Sequence, residues 1–129
     1  MRFLVVGVFF IFNIHIGNAQ EKEINIGIEN VIDSLVLCLQ KNDIQFLQPH
    51  LADSVDFVGL RGDIGMSILA QVIEQYSYTI EKITIDEIIR EGENFRVKTS
   101  FYRDDGIVPK EVVLNKKLKF IDLSIVSKK

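Results

Sequence analysis

A change of hydrophobic period along the chain constrains the fold more than any other feature. Ile28, Val31, Ile32, Leu35, Cys38 and Leu39 recur at three- and four-residue spacing, which predicts an amphipathic helix over about 29–40. Ile68, Leu69, Val72, Ile73 and Tyr76 repeat that spacing and predict a second long helix over about 64–75. Further on the period falls to two. Ile83, Ile85 and Ile89 are interleaved with Thr84, Asp86 and Ile88, and Phe95, Val97, Thr99 and Phe101 alternate with Arg96, Lys98, Ser100 and Tyr102. Helices followed by strands on short turns give an α+β fold, with N-terminal helices packed on a mainly antiparallel sheet of four to six strands.

The punctuation between these segments completes the layout. Asn42 and Asp43 end the first helix and cap a short one, Ile44 to Gln48, that Pro49 stops. Leu51 to Ser54 read as a turn, Val55 to Val58 as a short strand, and Gly59 to Asp63 as a glycine-punctuated loop. Hairpin turns are expected at Glu91–Asn94, Asp104–Gly106 and Asn115–Lys117. Val112 to Leu114 and Leu118 to Val126 supply the last two strands, and Glu21 to Gly27 show no clear period.

The first residues read as an address rather than as fold. Arg2 precedes the apolar run Phe3 to Phe12, and Gly17-Asn18-Ala19 forms a small-residue end. That is the pattern of a secretory signal peptide over 1–19, with residues 20–129 left as one domain. The run is too short to cross the roughly 30 Å of a bilayer core, so export to a periplasm or the cell exterior is expected, without stable membrane insertion after cleavage.

Composition removes several function classes. The formal net charge of −3 gives no basic footprint for nucleic acid. Lys116, Lys117, Lys119, Lys128 and Lys129 form a modest basic cluster without interleaved aromatics, read as a solvated turn and tail. One cysteine and two histidines cannot assemble a four-ligand His/Cys zinc site, and no metal or cofactor is expected. Cys38 lies on the first helix's apolar stripe, which favours burial over an intermolecular disulfide.

The stretches Leu47 to Phe57 and Gly62 to Leu69, followed by the C-terminal meander, resemble the nuclear transport factor 2-like superfold of SnoaL-like and ketosteroid isomerase-like proteins. A cystatin-like helix-on-sheet fold is the alternative. The resemblance implies that the sheet is curved into a cone with an apolar cavity, and Phe57, Tyr76, Phe101, Phe120 and Asp122 are its expected lining. It leaves two functions open, because this superfold hosts both. One is a small-ligand-binding or dimerising module, with a small apolar ligand or a homodimer through the sheet face. The other is a cofactor-free isomerase or elimination enzyme working through a carboxylate acid/base.

No catalytic set is evident in the residues themselves. Asp122 shares a strand face with Leu118, Phe120, Ser124 and Val126 if that strand alternates strictly. Facing a cavity, it would be a desolvated acid or base; facing water, Ile121, Leu123 and Ile125 would take the core. Asp56 points opposite to Val55 and Phe57, so it is either solvated or in the cavity. His50 has no recognisable partner and reads as a turn residue. Tyr76 reads as core, and Tyr102 falls on the charged strand face. Arg61-Gly62-Asp63 spells an adhesion tripeptide, but turning the chain and capping the next helix account for it.

Overall fold

The computed structural model describes residues 18–123, with side chains from 21 onward. The apolar run Phe3 to Phe12, residues Ser124 to Val126 of the last expected strand, and Lys128 and Lys129 lie outside the described residues.

Helix α1 runs Asn18–Lys41, across the expected cleavage point and well beyond the predicted start. Ile24, Asn25 and Ile28 extend the buried stripe upstream, but two residues hide it in the sequence. Asn25 is polar yet buried, its Nδ2 donating to the Glu21 carbonyl at 2.7 Å. Gly27 leaves a notch in which the Leu118 side chain sits. The helix ends as predicted at Asn42, in the left-handed region at φ 53°, with Asp43 N–H donating back to the Cys38 carbonyl at 3.1 Å. Asp43 then accepts from Gln45 N–H at 2.9 Å and caps a 3₁₀ turn, Ile44–Phe46. The expected short helix is thus split, and Pro49 sits inside a second 3₁₀ turn, Gln48–His50, rather than ending the first.

Strand β1 spans Leu51–Asp56, so the expected turn at Leu51 to Ser54 is a strand. The chain then reverses tightly at Val58 and Gly59 (φ 48° and 87°), with Phe57 and Leu60 exchanging backbone hydrogen bonds of 2.8 and 3.0 Å. Helix α2 follows over Gly62–Glu74. Gly62 turns the chain at φ 68°, and Asp63 sits in the first helical turn, where its charge suits the helix dipole, rather than capping it. A Cβ on Gly65 would run into the Leu60 carbonyl, so the turn and the helix approach each other only through glycine.

Strands β2 (Ile80–Glu91), β3 (Asn94–Arg103), β4 (Gly106–Leu114) and β5 (Phe120–Leu123) complete a five-stranded sheet of order β1-β5-β4-β3-β2. All neighbours are antiparallel except β1 and β5, which are parallel. Helix α1 packs on β2 and α2 on β1, and the core lies between the helices and the sheet.

Two irregularities move side chains relative to strict alternation. In β2 the register shifts between Ile85 and Glu87, so Ile88 rather than Ile89 is buried after Ile83 and Ile85. In β5, Leu114 pairs with Phe120 but Val113 with Asp122, leaving Ile121 as an extra residue. Phe120 and Leu123 are therefore both buried, and Asp122 falls on the opposite side from Phe120. Strand β4 begins at Gly106 rather than Val112. Pro109 is tolerated inside it because, among the described residues, β5 pairs only with Val112 to Leu114. The β4–β5 loop is pinned by Asn115, whose Oδ1 accepts from Lys117 and Lys119 N–H at 2.9 and 3.0 Å, with Leu118 left-handed at φ 61°.

Candidate functional site

Of the expected cavity lining, Phe57, Phe101 and Phe120 are fully buried in one core cluster. Asp122 is on the other side of β5 from them and does not join them. The structure does bring the two candidate carboxylates together, because Asp56 and Asp122 are register partners across β1 and β5. Asp56 accepts from Gly59 N–H at 2.8 Å and from Arg61 Nε at 3.2 Å, which holds the Val58-Gly59 turn. Asp122 is half-buried. Burial first, and then the negative charge of Asp56, push its carboxyl above the usual range, with Arg61 and Arg96 opposing and Glu111 adding to the rise.

The rest of that outer face is a ladder of satisfied charges. Arg96 reaches Glu91 at 2.8 Å and Glu111 at 3.2 Å, and Glu87 pairs with Lys98 at 3.8 Å. Asp86 accepts from Ser100 at 2.5 Å, and Lys82 lies 4.6 Å over the Tyr102 ring. An open depression of about 480 Å³ lies between Asp86, Glu87, Lys98, Pro109 and Glu111, whose charges are already engaged, Glu87 with Lys98, Asp86 with Ser100 and Glu111 with Arg96.

The inner side has a different polar inventory. Its buried polar residues, among those described, are Asn25, Thr99 and Lys110, with no carboxylate. Thr99 Oγ1 donates to the Lys110 carbonyl at 2.8 Å. Burial and the nearby Arg103 charge push the Lys110 ammonium below its usual pKa range.

A second groove, of about 330 Å³, opens where the ends of α1 and α2 meet the start of β2. Its walls are Leu39, Gln40 and Asn42 on one side and Tyr76 to Ile80 on the other. Asn42, placed by its left-handed backbone, joins the two helix ends, its Nδ2 donating to the Ile73 carbonyl at 3.0 Å and the Tyr76 carbonyl at 2.9 Å. Gln40 Nε2 donates to the Ile80 carbonyl at 2.9 Å and anchors β2. Tyr76 and Tyr78 meet edge-on with centroids 5.7 Å apart. Arg103, clamped by Asp105 through two 2.9 Å hydrogen bonds, lies 3.7 Å over the Tyr78 ring and fixes its plane. The Tyr76 hydroxyl is shut off from solvent beside Arg103, whose guanidinium is the donor next to it. Its burial raises the phenol above the usual range, and Arg103 opposes the rise.

Of the expected site residues only Tyr76 stands in this groove. Gln40, Asn42, Ser77, Thr79 and Arg103 carry no motif. The one usable sign was the Tyr76/Tyr78 pair just past a helix end. His50, the lone candidate base, sits 3.2 Å from Ser34 Oγ, whose hydroxyl donates to the Asn30 carbonyl at 3.2 Å, so the ring straps the 3₁₀ turn to α1. Cys38 is buried, and burial pushes its thiol up to about 12. Among the described residues no three His, Cys, Asp or Glu side chains stand close enough to hold a metal ion. No described helix is long and apolar enough to cross a membrane.

No family model matches the chain, and no curated protein matches it in sequence. Solved structures do. A nuclear transport factor 2-like protein of unknown function from Shewanella baltica superposes with a TM-score of 0.59 at 17% identity, covering 78% of this chain and 90% of its own. A de novo designed protein of the nuclear transport factor 2 fold gives 0.53 at 12% identity, over 74% of this chain and 79% of its own. TsrD from Streptomyces laurentii gives 0.51 at 16% identity, over 75% and 84%. The described chain therefore has the nuclear transport factor 2-like fold, with two helices on a five-stranded, curved mixed sheet, as the sequence resemblance implied.

Proposed function

We propose that this nuclear transport factor 2-like chain is a small-ligand-binding module rather than an enzyme, and that the Tyr76–Tyr78 groove is its binding site. The observation that carries it is an open groove of about 330 Å³ walled by two tyrosines, two amide side chains and two small hydroxyl residues, with no charged residue in its lining. The carboxylate acid/base catalysis of the alternative reading would need an inward carboxylate. The buried polar residues described, Asn25, Thr99 and Lys110, include none, and Asp56 and Asp122 pair on the outer face. The proposal includes export, which rests on the sequence of residues 1–19 alone. N-terminal sequencing of the protein from an exporting host is expected to begin at Gln20, and a chain starting at Met1 would remove export.

The binding test is an amide NMR titration of the protein with small neutral single-ring compounds. Shifts gathered at 39–42 and 76–80 are expected. Saturating shifts confined to the outer face around Asp56 and Asp122 would overturn the assignment.

A further inference from the structure

We infer that the N-terminus of the mature chain is chemically closed, with Gln20 converted to the five-membered lactam pyroglutamate; this rests on the export reading above, which makes Gln20 the first residue. The neutral α-amine attacks the carbon of the Gln20 carboxamide. A C–N bond forms and the bond to the amide NH2 breaks. The departing nitrogen takes the proton shed by the attacking amine and leaves as ammonia. No oxidant, reductant or co-reactant enters. An ordinary α-amine pKa of about 7.7–8.0 leaves part of the amine neutral, and so nucleophilic, near neutral pH.

The position suits the product. Helix α1 runs through the expected cleavage point, so cutting after Ala19 leaves Gln20 at the head of α1. The first four N–H groups of a helix have no intrahelical carbonyl, so a ring closed on the Gln20 nitrogen costs no intrahelical hydrogen bond. The lactam is a five-membered backbone ring like that of proline, which is accepted at the first helical position and clashes only further in. Closure also removes a charge of the wrong sign. A free ammonium would stand at the positive end of the α1 dipole, where Glu21 carries the favourable sign, and the lactam is neutral. The terminus is open to the reaction: Lys22 and Glu23 are exposed, and Ile24 is the first apolar side chain packed against the core among the described residues.

The residue that closure shields is Glu21. Asn25 is buried, its Oδ1 has no partner among the described residues, and its Nδ2 donates to the Glu21 carbonyl at 2.7 Å. An aminopeptidase that grips a free α-ammonium and removes Gln20 and then Glu21 takes that acceptor away and leaves a buried amide with neither bond. A lactam end denies such an enzyme its handle.

The full chain, purified from an exporting host, is read by intact mass and by tandem mass spectrometry of its N-terminal peptide, which needs no free amine. The expected result is the mass of residues 20–129 less one ammonia. Gln20→Glu, whose side chain has no ammonia to lose, is expected to start at the same position and keep its α-amine. Leucine aminopeptidase is then expected to shorten the Gln20→Glu chain and leave the parent whole. A parent chain starting at Gln20 with a free amine after prolonged incubation at about pH 8 would overturn the inference while export stands. A chain starting at Met1 would overturn both. Trimming of the parent as fast as Gln20→Glu would refute the shielding of Glu21.

Discussion

Truncating β5 one residue at a time reads out the irregularity that turns Asp122 away from the core. Phe120 is fully buried among Leu114, Leu51 and their neighbours, and Phe120→Ala is expected to cost about 3–5 kcal/mol. Ile121 is half-exposed as the extra residue of the bulge, and Ile121→Ala is expected to cost about 1 kcal/mol, well short of a buried isoleucine's loss. With a urea slope of about 2 kcal/mol per M for a chain of this size, the midpoint falls by about 2 M for Phe120 and about 0.5 M for Ile121. Equilibrium urea denaturation followed by circular dichroism measures both. If Phe120→Ala is too unstable to study, Phe120→Leu at a smaller cost preserves the comparison. An Ile121 cost equal to or above that of Phe120 would mean that β5 alternates strictly with Ile121 inside. That would refute the bulge that puts Phe120 and Leu123 on one side while leaving Asp122 outside; a near-neutral Leu123→Ala beside a costly Phe120→Ala is the result that would refute the outer placement of Asp122.

Other consequences are equally checkable. Gly65→Ala places a methyl against the Leu60 carbonyl, so a melting temperature lower by roughly 4–20 °C is expected, from a cost of about 1–3 kcal/mol, although alanine is the better helix former; a rise would deny the close approach. Because folding raises the Asp122 pKa, its ionisation opposes folding: the penalty is absent below the unfolded value of about 3.9 and grows as pH rises through the higher folded value. Asp122→Asn is therefore expected to stabilise the protein at neutral pH and to flatten the fall in stability with rising pH, and a variant less stable at neutral pH would contradict the sign. Cys38, with its thiol raised to about 12, is expected to resist a thiol-reactive probe at pH 8 until denaturant is added, and rapid native labelling would show the α1 face to be open.

The sequence showed what repeats and missed what is irregular or comes from distant segments. The stripe Ile28 to Leu39 and the alternation Phe95 to Phe101 are periodic, and both elements are where they were expected. The N-terminal half of α1 was illegible because Asn25 and Gly27 interrupt the apolar stripe for tertiary reasons, a buried back-bonded amide and a notch for Leu118. Strand β1 was read partly as a turn because Asp53 and Ser54 are polar. Its pairing is with β5, far along the chain and parallel, and leaves no local trace. The bulges near Asp86 and at Ile121 each reversed the face of the residues that follow, which a period-two reading cannot anticipate.

The same distinction explains the site. Tyr76 was visible as the end of a helix stripe, but the groove also draws on the end of α1, the α2–β2 connection and the end of β3, and no spacing in one segment announces it. Lys110 escaped notice because the strand was expected to start only at Val112. Once β4 begins at Gly106, Lys110 falls in phase with the buried Val112 and Leu114. Asp56 and Asp122 were both legible as unusual carboxylates, and their meeting across a parallel strand pair was not.

The most direct test of the binding site is a crystal structure of the protein soaked in a mixture of neutral and anionic single-ring compounds. The expected result is density for a neutral ring in the groove against Tyr76 and Tyr78. An empty groove with a compound seated instead beside Asp56 and Asp122 would contradict the account and move the functional site to the outer face of the sheet.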